Sequence, residues 1–147
     1  MKQISVLAFL LALSAGCVWQ SAPNSQAAVH PKVGITIESA KTTFKIGDDI
    51  TIMIQIKNLT DKDLDAPTTY WSLVLLLDGK EHKRLPKYIG DWNGPRVIIP
   101  GGEFVSGITL SEYGITKENL SLGTHEVALK IGDAVSNTLT ITITENR

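Results

Sequence analysis

Along four stretches of this chain every second side chain is apolar. In "DITIMIQIKN", Ile50, Ile52, Ile54 and Ile56 alternate with Thr51, Met53, Gln55 and Lys57. "VGITIES" sets Val33, Ile35 and Ile37 against Gly34, Thr36 and Glu38, and "THEVALKI" turns Val127, Leu129 and Ile131 inward. "NTLTITIT" opposes Leu139, Ile141 and Ile143 to threonines 138, 140, 142 and 144. Successive side chains of a strand point to opposite faces, so each stretch makes one dry face and one wet face. Isoleucine and threonine are β-branched and suit the pleat.

"YWSLVLLLDG" is apolar on both faces, which predicts a central strand from Trp71 to Leu77. "EFVSGITL" adds Phe104, Ile108 and Leu110, and "RVIIP" is a short edge piece ended by Pro100. Gly, Pro, Asn or Asp punctuates every gap, and Asp78-Gly79 has hairpin-turn chemistry. Ser111 to Leu120 reads as a helical turn or crossover. Seven to eight short strands at regular spacing predict an all-β fold of two antiparallel sheets packed face to face, over residues 32–147. Each fully buried Ile or Leu contributes about 1.5–3 kcal/mol, so a core of this kind holds without disulfides.

The chain opens with Lys2, an apolar run from Ile4 to Ala15 and then small residues, the layout of an export signal over residues 1–16. That run is shorter than the roughly 20 apolar residues a spanning helix needs. "SAGC", Ser14 to Cys17, resembles the exit of a bacterial lipoprotein signal, which implies a multiply acylated Cys17. The alternative exit is cleavage near Ser25-Gln26-Ala27, which would discard the chain's single cysteine. Lipidation is the preferred expectation, because it explains a lone cysteine placed just after the apolar run. Val18 follows the cysteine, which in a two-membrane envelope implies the outer membrane. Residues 17–31, with prolines at 23 and 31, read as a flexible linker. The expected location is therefore exported, anchored in a bacterial cell envelope through the N-terminal lipid, or secreted.

Without residues 1–16 the chain has 13 basic and 15 acidic side chains. That balance, with no basic stripe, argues against nucleic acid as a partner. The histidines at 30, 82 and 125 match no metal-ligand spacing. Asp61, Asp63 and Asp65 alternate as in calcium loops but lack the glycine and closing glutamate. There is no nucleophile elbow and no phosphate-cradling loop, so no catalytic residue, metal or cofactor is expected. His125 shares the inward phase of Val127, which suits a histidine bonded to backbone at a corner.

The cluster that most suggests recognition is "KYIGDWNGPR". Tyr88, Asp91, Trp92, Asn93 and Arg96 form the candidate ligand-binding set, because Trp and Arg often anchor partners and aromatics beside amides can stack on sugars. The competing role for Trp92 is to cap the open side of the sandwich while Asn93-Gly94 turns the chain.

"AKTTFKIGDDITIMIQIKN" resembles the opening of bacterial envelope Ig-like sandwiches, carried by Thr43, Phe44, Lys45, Gly47, Asp48 and Ile50 to Asn58. The closing strands are similar to theirs too, with His125 where those domains usually place a corner tyrosine. The resemblance implies an Ig-like fold and leaves function open. Ala66 to Trp71, "APTTYW", faintly resembles a loop of chagasin-type cysteine-protease inhibitors, and the opening strands resemble the bacillar intracellular proteinase-inhibitor domain at fold level. The expected function is a non-catalytic binding domain that meets an envelope protein or a glycan through loops or an edge strand. A proteinase inhibitor or a carbohydrate-binding module is the alternative.

Overall fold

The computed structural model describes residues 32–145 apart from 91, 117 and 118. Cys17, the signal and the linker lie outside the described residues, as does Asp91. The elements in chain order are β1 (Val33–Glu38), β2 (Thr43–Lys45), β3 (Thr51–Asn58), β4 (Leu64–Asp65), α1 (Ala66–Trp71), β5 (Val74–Leu77), β6 (Lys80–Lys83), β7 (Val97–Ile98), β8 (Glu103–Thr109), β9 (Gly123–Ile131), β10 (Ala134–Val135) and β11 (Leu139–Thr144). Short 3₁₀ turns span Pro86–Tyr88 and Leu110–Tyr113.

One sheet has the order β1-β3-β8, the other β2-β11-β9-β5-β6 with β10 beside β9, and β4 and β7 form a small ribbon. Among the described residues eight strands have three residues or more, the number the alternation predicts; β4, β7 and β10 are two-residue additions. The pairing is antiparallel except that β2 runs parallel to β11. The chain thus enters in one sheet as β1 and crosses to the other as β2, an Ig-like arrangement.

The inward faces are those the alternation assigns. Ile52, Ile54 and Ile56 of β3 meet Leu75, Val127, Leu129 and Ile141 in a core from which water is excluded. Asp78 and Gly79 both take positive φ, 50° and 78°, and close the β5–β6 hairpin in the turn whose twist matches the strands. Between β10 and β11, Asn137 reaches across to the other sheet: Ile37 N donates to its Oδ1 at 2.8 Å and its Nδ2 donates to Ile37 O at 3.0 Å. That bridge pairs backbone groups of β1 which would otherwise be an open edge.

The central strand is shorter than expected. Tyr70 and Trp71 belong to α1, and the strand begins at Val74. The reason is local: Asp65 caps the helix, its Oδ1 accepting from Thr68 N at 2.7 Å, and Pro67 sits in the first turn, where its missing N–H has no cost. The segment resembling an inhibitor loop is therefore a helix. Its cap also engages Asp65, one of the three alternating aspartates.

The crossover from β8 to β9 starts with the 3₁₀ turn Leu110–Tyr113. Thr109 and Glu112 form a capping box, and Gly114 ends the turn at φ 75°. Leu85 N donates to Glu112 O at 2.7 Å, which fastens the exit of β6 to this crossover.

Candidate functional site

The segment from β6 to β8 carries the predicted recognition residues. Tyr88 ends the 3₁₀ turn at Pro86–Tyr88 and is exposed, with Lys87 Nζ 4.9 Å above its ring. Trp92 turns inward. Its Nε1 donates to Pro95 O at 2.6 Å, and its ring lies 5.2 Å from both Tyr70 and Phe104 and 5.9 Å from Trp71. Gly94 is required by this approach, since a Cβ there would stand 2.7 Å from Trp92 Cζ2. Asn93 and Arg96 face solvent, while the Arg96 carbonyl accepts from Ala66 N at 3.1 Å. No hydrogen bond, ion pair or ring contact joins Tyr88, Trp92, Asn93 and Arg96 to one another. The indole anchors its loop on the core.

Under that loop sits Arg84, which the sequence reading missed. Its side chain is almost wholly buried, and the guanidinium carbon lies 4.2 Å from the Tyr70 ring centre, 5.0 Å from Trp71 and 5.3 Å from Tyr113. Nη2 is 2.9 Å from Glu112 Oε2, an ion pair. Among the described residues, Nε, Nη1 and the Tyr113 hydroxyl are buried with no hydrogen-bond partner. Burial pushes the Tyr113 phenol well above its ordinary range. The group plugs the open side of the sandwich between β6 and β8, with Tyr70 Oη donating to Gly107 O at 3.2 Å. Phase was the available signal, because Arg84 lies two residues beyond the half-buried His82 on the same side of the strand.

The opposite corner brings together Ser121, His125 and Asp78. His125 Nδ1 lies 2.7 Å from Asp78 Oδ2, and Nε2 lies 2.9 Å from the Ser121 carbonyl oxygen and 3.4 Å from Ser121 Oγ. The residue types are those of a hydrolytic triad, yet the chemistry differs. Both ring nitrogens face acceptors, an arrangement that the doubly protonated ring satisfies, and in that form Nε2 has no lone pair with which to take a proton from serine. The hydrogen bond to Asp78 raises the His125 pKa against the opposing effect of burial. The Asp78 carboxyl is held below its ordinary range by His125 first and by the Glu126 N–H second. His125 thus makes the backward bond to the chain that the sequence predicted for a corner residue; the bond to Asp78 was not foreseen.

Among the described residues, clefts open at two ends of the sandwich. One, of about 350 Å³, is lined by the β2–β3 turn from Lys45 to Ile50 and by Leu110, Ile115 and Leu120 of the crossover. The other, of about 330 Å³, lies at the opposite end among Val33, Leu64, Thr68, Ile131 and Ala134. Among the described residues no three His, Cys, Asp or Glu side chains are placed to share a metal ion. No described helix is long and apolar enough to cross a membrane.

No protein-family model and no curated protein matches the chain. Among solved structures it is similar to the CARDB domain of a Pyrococcus furiosus protein in complex with di-metal ions, at 12% identity and a TM-score of 0.50, over 79% of this chain and 96% of that one. A β-glucosidase from Erythrobacter marinus matches at 12% identity and a TM-score of 0.48, over 76% of this chain and 15% of its own. One from Listeria innocua, in complex with isofagomine, matches at 11% identity and a TM-score of 0.45, over 78% of this chain and 16% of its own. The likeness to the CARDB domain is one of fold, a β-sandwich.

Proposed function

We propose that this chain is a non-catalytic Ig-like binding domain, exported and held at a bacterial envelope by an acylated Cys17, which engages a protein partner through the segment between β6 and β8. The observation that carries this reading is the exposed apolar surface of that segment. Tyr88 is 37% exposed, Ile89 50%, Val97 44% and Ile99 62%. Single exposed apolar residues are ordinary, but four on one connection suit contact with another protein. The inward turn of Trp92 favours a protein over a glycan, because the indole is not held out as a stacking platform.

A photo-activated crosslinker at position 89 or 99 of the full chain in its own envelope tests this. A discrete protein adduct is expected from both positions and none from position 140, on the outer face of β11. No adduct at 89 and 99, or the same adducts at 140, would overturn the proposal.

A further inference from the structure

We propose that His125 is a proton-dependent latch, fastening the β8–β9 crossover to the β5–β6 hairpin when protonated and letting it loosen when neutral. The proposal is independent of which partner the β6–β8 segment binds.

It follows from counting donors. Two acceptors, the Asp78 carboxylate at 2.7 Å and the Ser121 carbonyl at 2.9 Å, face the two ring nitrogens. An imidazolium has two N–H groups and satisfies both. A neutral ring has one, so one of these two contacts is given up; if Nδ1 keeps its proton for Asp78, the 2.9 Å bond to the Ser121 carbonyl is replaced by a longer one accepted from Ser121 Oγ at 3.4 Å. Loss of the Asp78 contact leaves the hairpin held at the corner through Glu126, whose N–H donates to Asp78 Oδ1 at 2.8 Å and whose carbonyl accepts from Asp78 N at 2.9 Å; loss of the Ser121 carbonyl contact loosens the crossover. A corner tyrosine would bond the backbone with a hydroxyl that does not titrate in this range, so the histidine adds a pH response to a fixed architectural joint.

The groups facing His125 are few. Asp78 comes from the hairpin turn and Ser121 from the crossover. Ile141 of β11 pairs with His125 in register, and the neighbouring Glu126 points to solvent while its N–H holds the other Asp78 oxygen at 2.8 Å. The crossover so fastened supplies Leu110, Ile115 and Leu120 to one wall of the 350 Å³ cleft, whose other wall is the β2–β3 turn. Release of the latch therefore loosens that cleft.

The direction is fixed by the two shifts. His125 is raised from 6.5, so its contribution is complete below 6.5 and fades as pH rises through the folded value. Asp78 is lowered from 3.8, so its contribution is complete above 3.8 and fades as pH falls through the folded value. The latch is fully closed between those limits and opens on the alkaline side.

Amide hydrogen exchange of the full chain, corrected for the intrinsic pH dependence of exchange, reads this out over residues 113–124 at pH 5.5 and 8.5. Protection is expected to fall roughly tenfold at the higher pH, the size of one lost hydrogen bond. His125→Tyr is expected to remove the step, and Asp78→Asn, which tolerates the positive φ of the turn, to shrink it. A wild-type chain with equal protection at both pH values, or a His125→Tyr chain that keeps the step, would overturn the latch. If His125→Tyr does not fold, Asp78→Asn decides: an undiminished step overturns the proposal and a diminished one supports it.

Discussion

Replacing Asn58 with alanine is expected to cost about 4 kcal/mol of folding stability, roughly one for each side-chain hydrogen bond lost. Asn58 is entirely buried at the end of β3. Its Nδ2 donates to the carbonyls of Lys62 and Ile98, both at 2.7 Å, and its Oδ1 accepts from Thr60 N at 2.9 Å and Thr60 Oγ1 at 2.8 Å. Its backbone is held as well, by Gly102 O and by the Gly101 N–H, each at 3.0 Å. One carboxamide therefore fixes the start of the β3–β4 connection and the turn between β7 and β8. In the alanine variant Ile98 O loses this donor in a buried setting. With a denaturant slope of about 1–3 kcal/mol per molar urea, the unfolding midpoint is expected to fall by roughly 2 M. A loss below about 1 kcal/mol would mean that water takes over these bonds and that the residue does not organise this end.

The second large effect is unequal for the two members of one pair. Glu112→Leu is expected to destabilise the chain by about 3–5 kcal/mol, because it leaves the Arg84 charge buried with no counter-charge. Part of that loss comes from the capping box, since Glu112 Oε1 also accepts from Thr109 N at 3.1 Å. Arg84→Met removes a cation whose Nε and Nη1 already lack acceptors. Thioether packing against Tyr70, Trp71 and Tyr113 replaces the guanidinium stack, so a change within about 1 kcal/mol of zero is expected. The double variant should then be more stable than Glu112→Leu alone by roughly 2 kcal/mol. Urea unfolding of the four chains measures the cycle. A double variant less stable than the Glu112→Leu chain would show that Arg84 supports the fold through its aromatic contacts and not through its charge.

Most of the sandwich was legible because burial on one face of a strand leaves a period-two trace. Ile50 to Ile56, Leu139 to Ile143 and the Asp78-Gly79 turn each stand where the alternation and turn chemistry put them. The Tyr70-Trp71 pair misled because an apolar run does not distinguish a strand from one buried turn of helix. The discriminating signal was upstream, an aspartate two residues before a proline. The Arg84 group left only a weak trace, since a charged residue just past a polar edge strand reads as solvated unless its phase is compared with the strand before it. The meeting of Asp78 with His125 is a contact between residues 47 positions apart in sequence. Local pattern carries no information about such a pair. The backward bond of His125 to Ser121 spans four residues, and there the corner pattern sufficed.

The proposed binding at an envelope rests on export and on acylation of Cys17. The mass of the mature N-terminus, measured on the chain isolated from the cells that naturally make it, tests that premise most directly. A chain beginning at Cys17 and heavier than the bare polypeptide by at least two fatty acyl groups is the predicted result. An unmodified chain beginning near Ala28, or one that still begins at Met1, would contradict it.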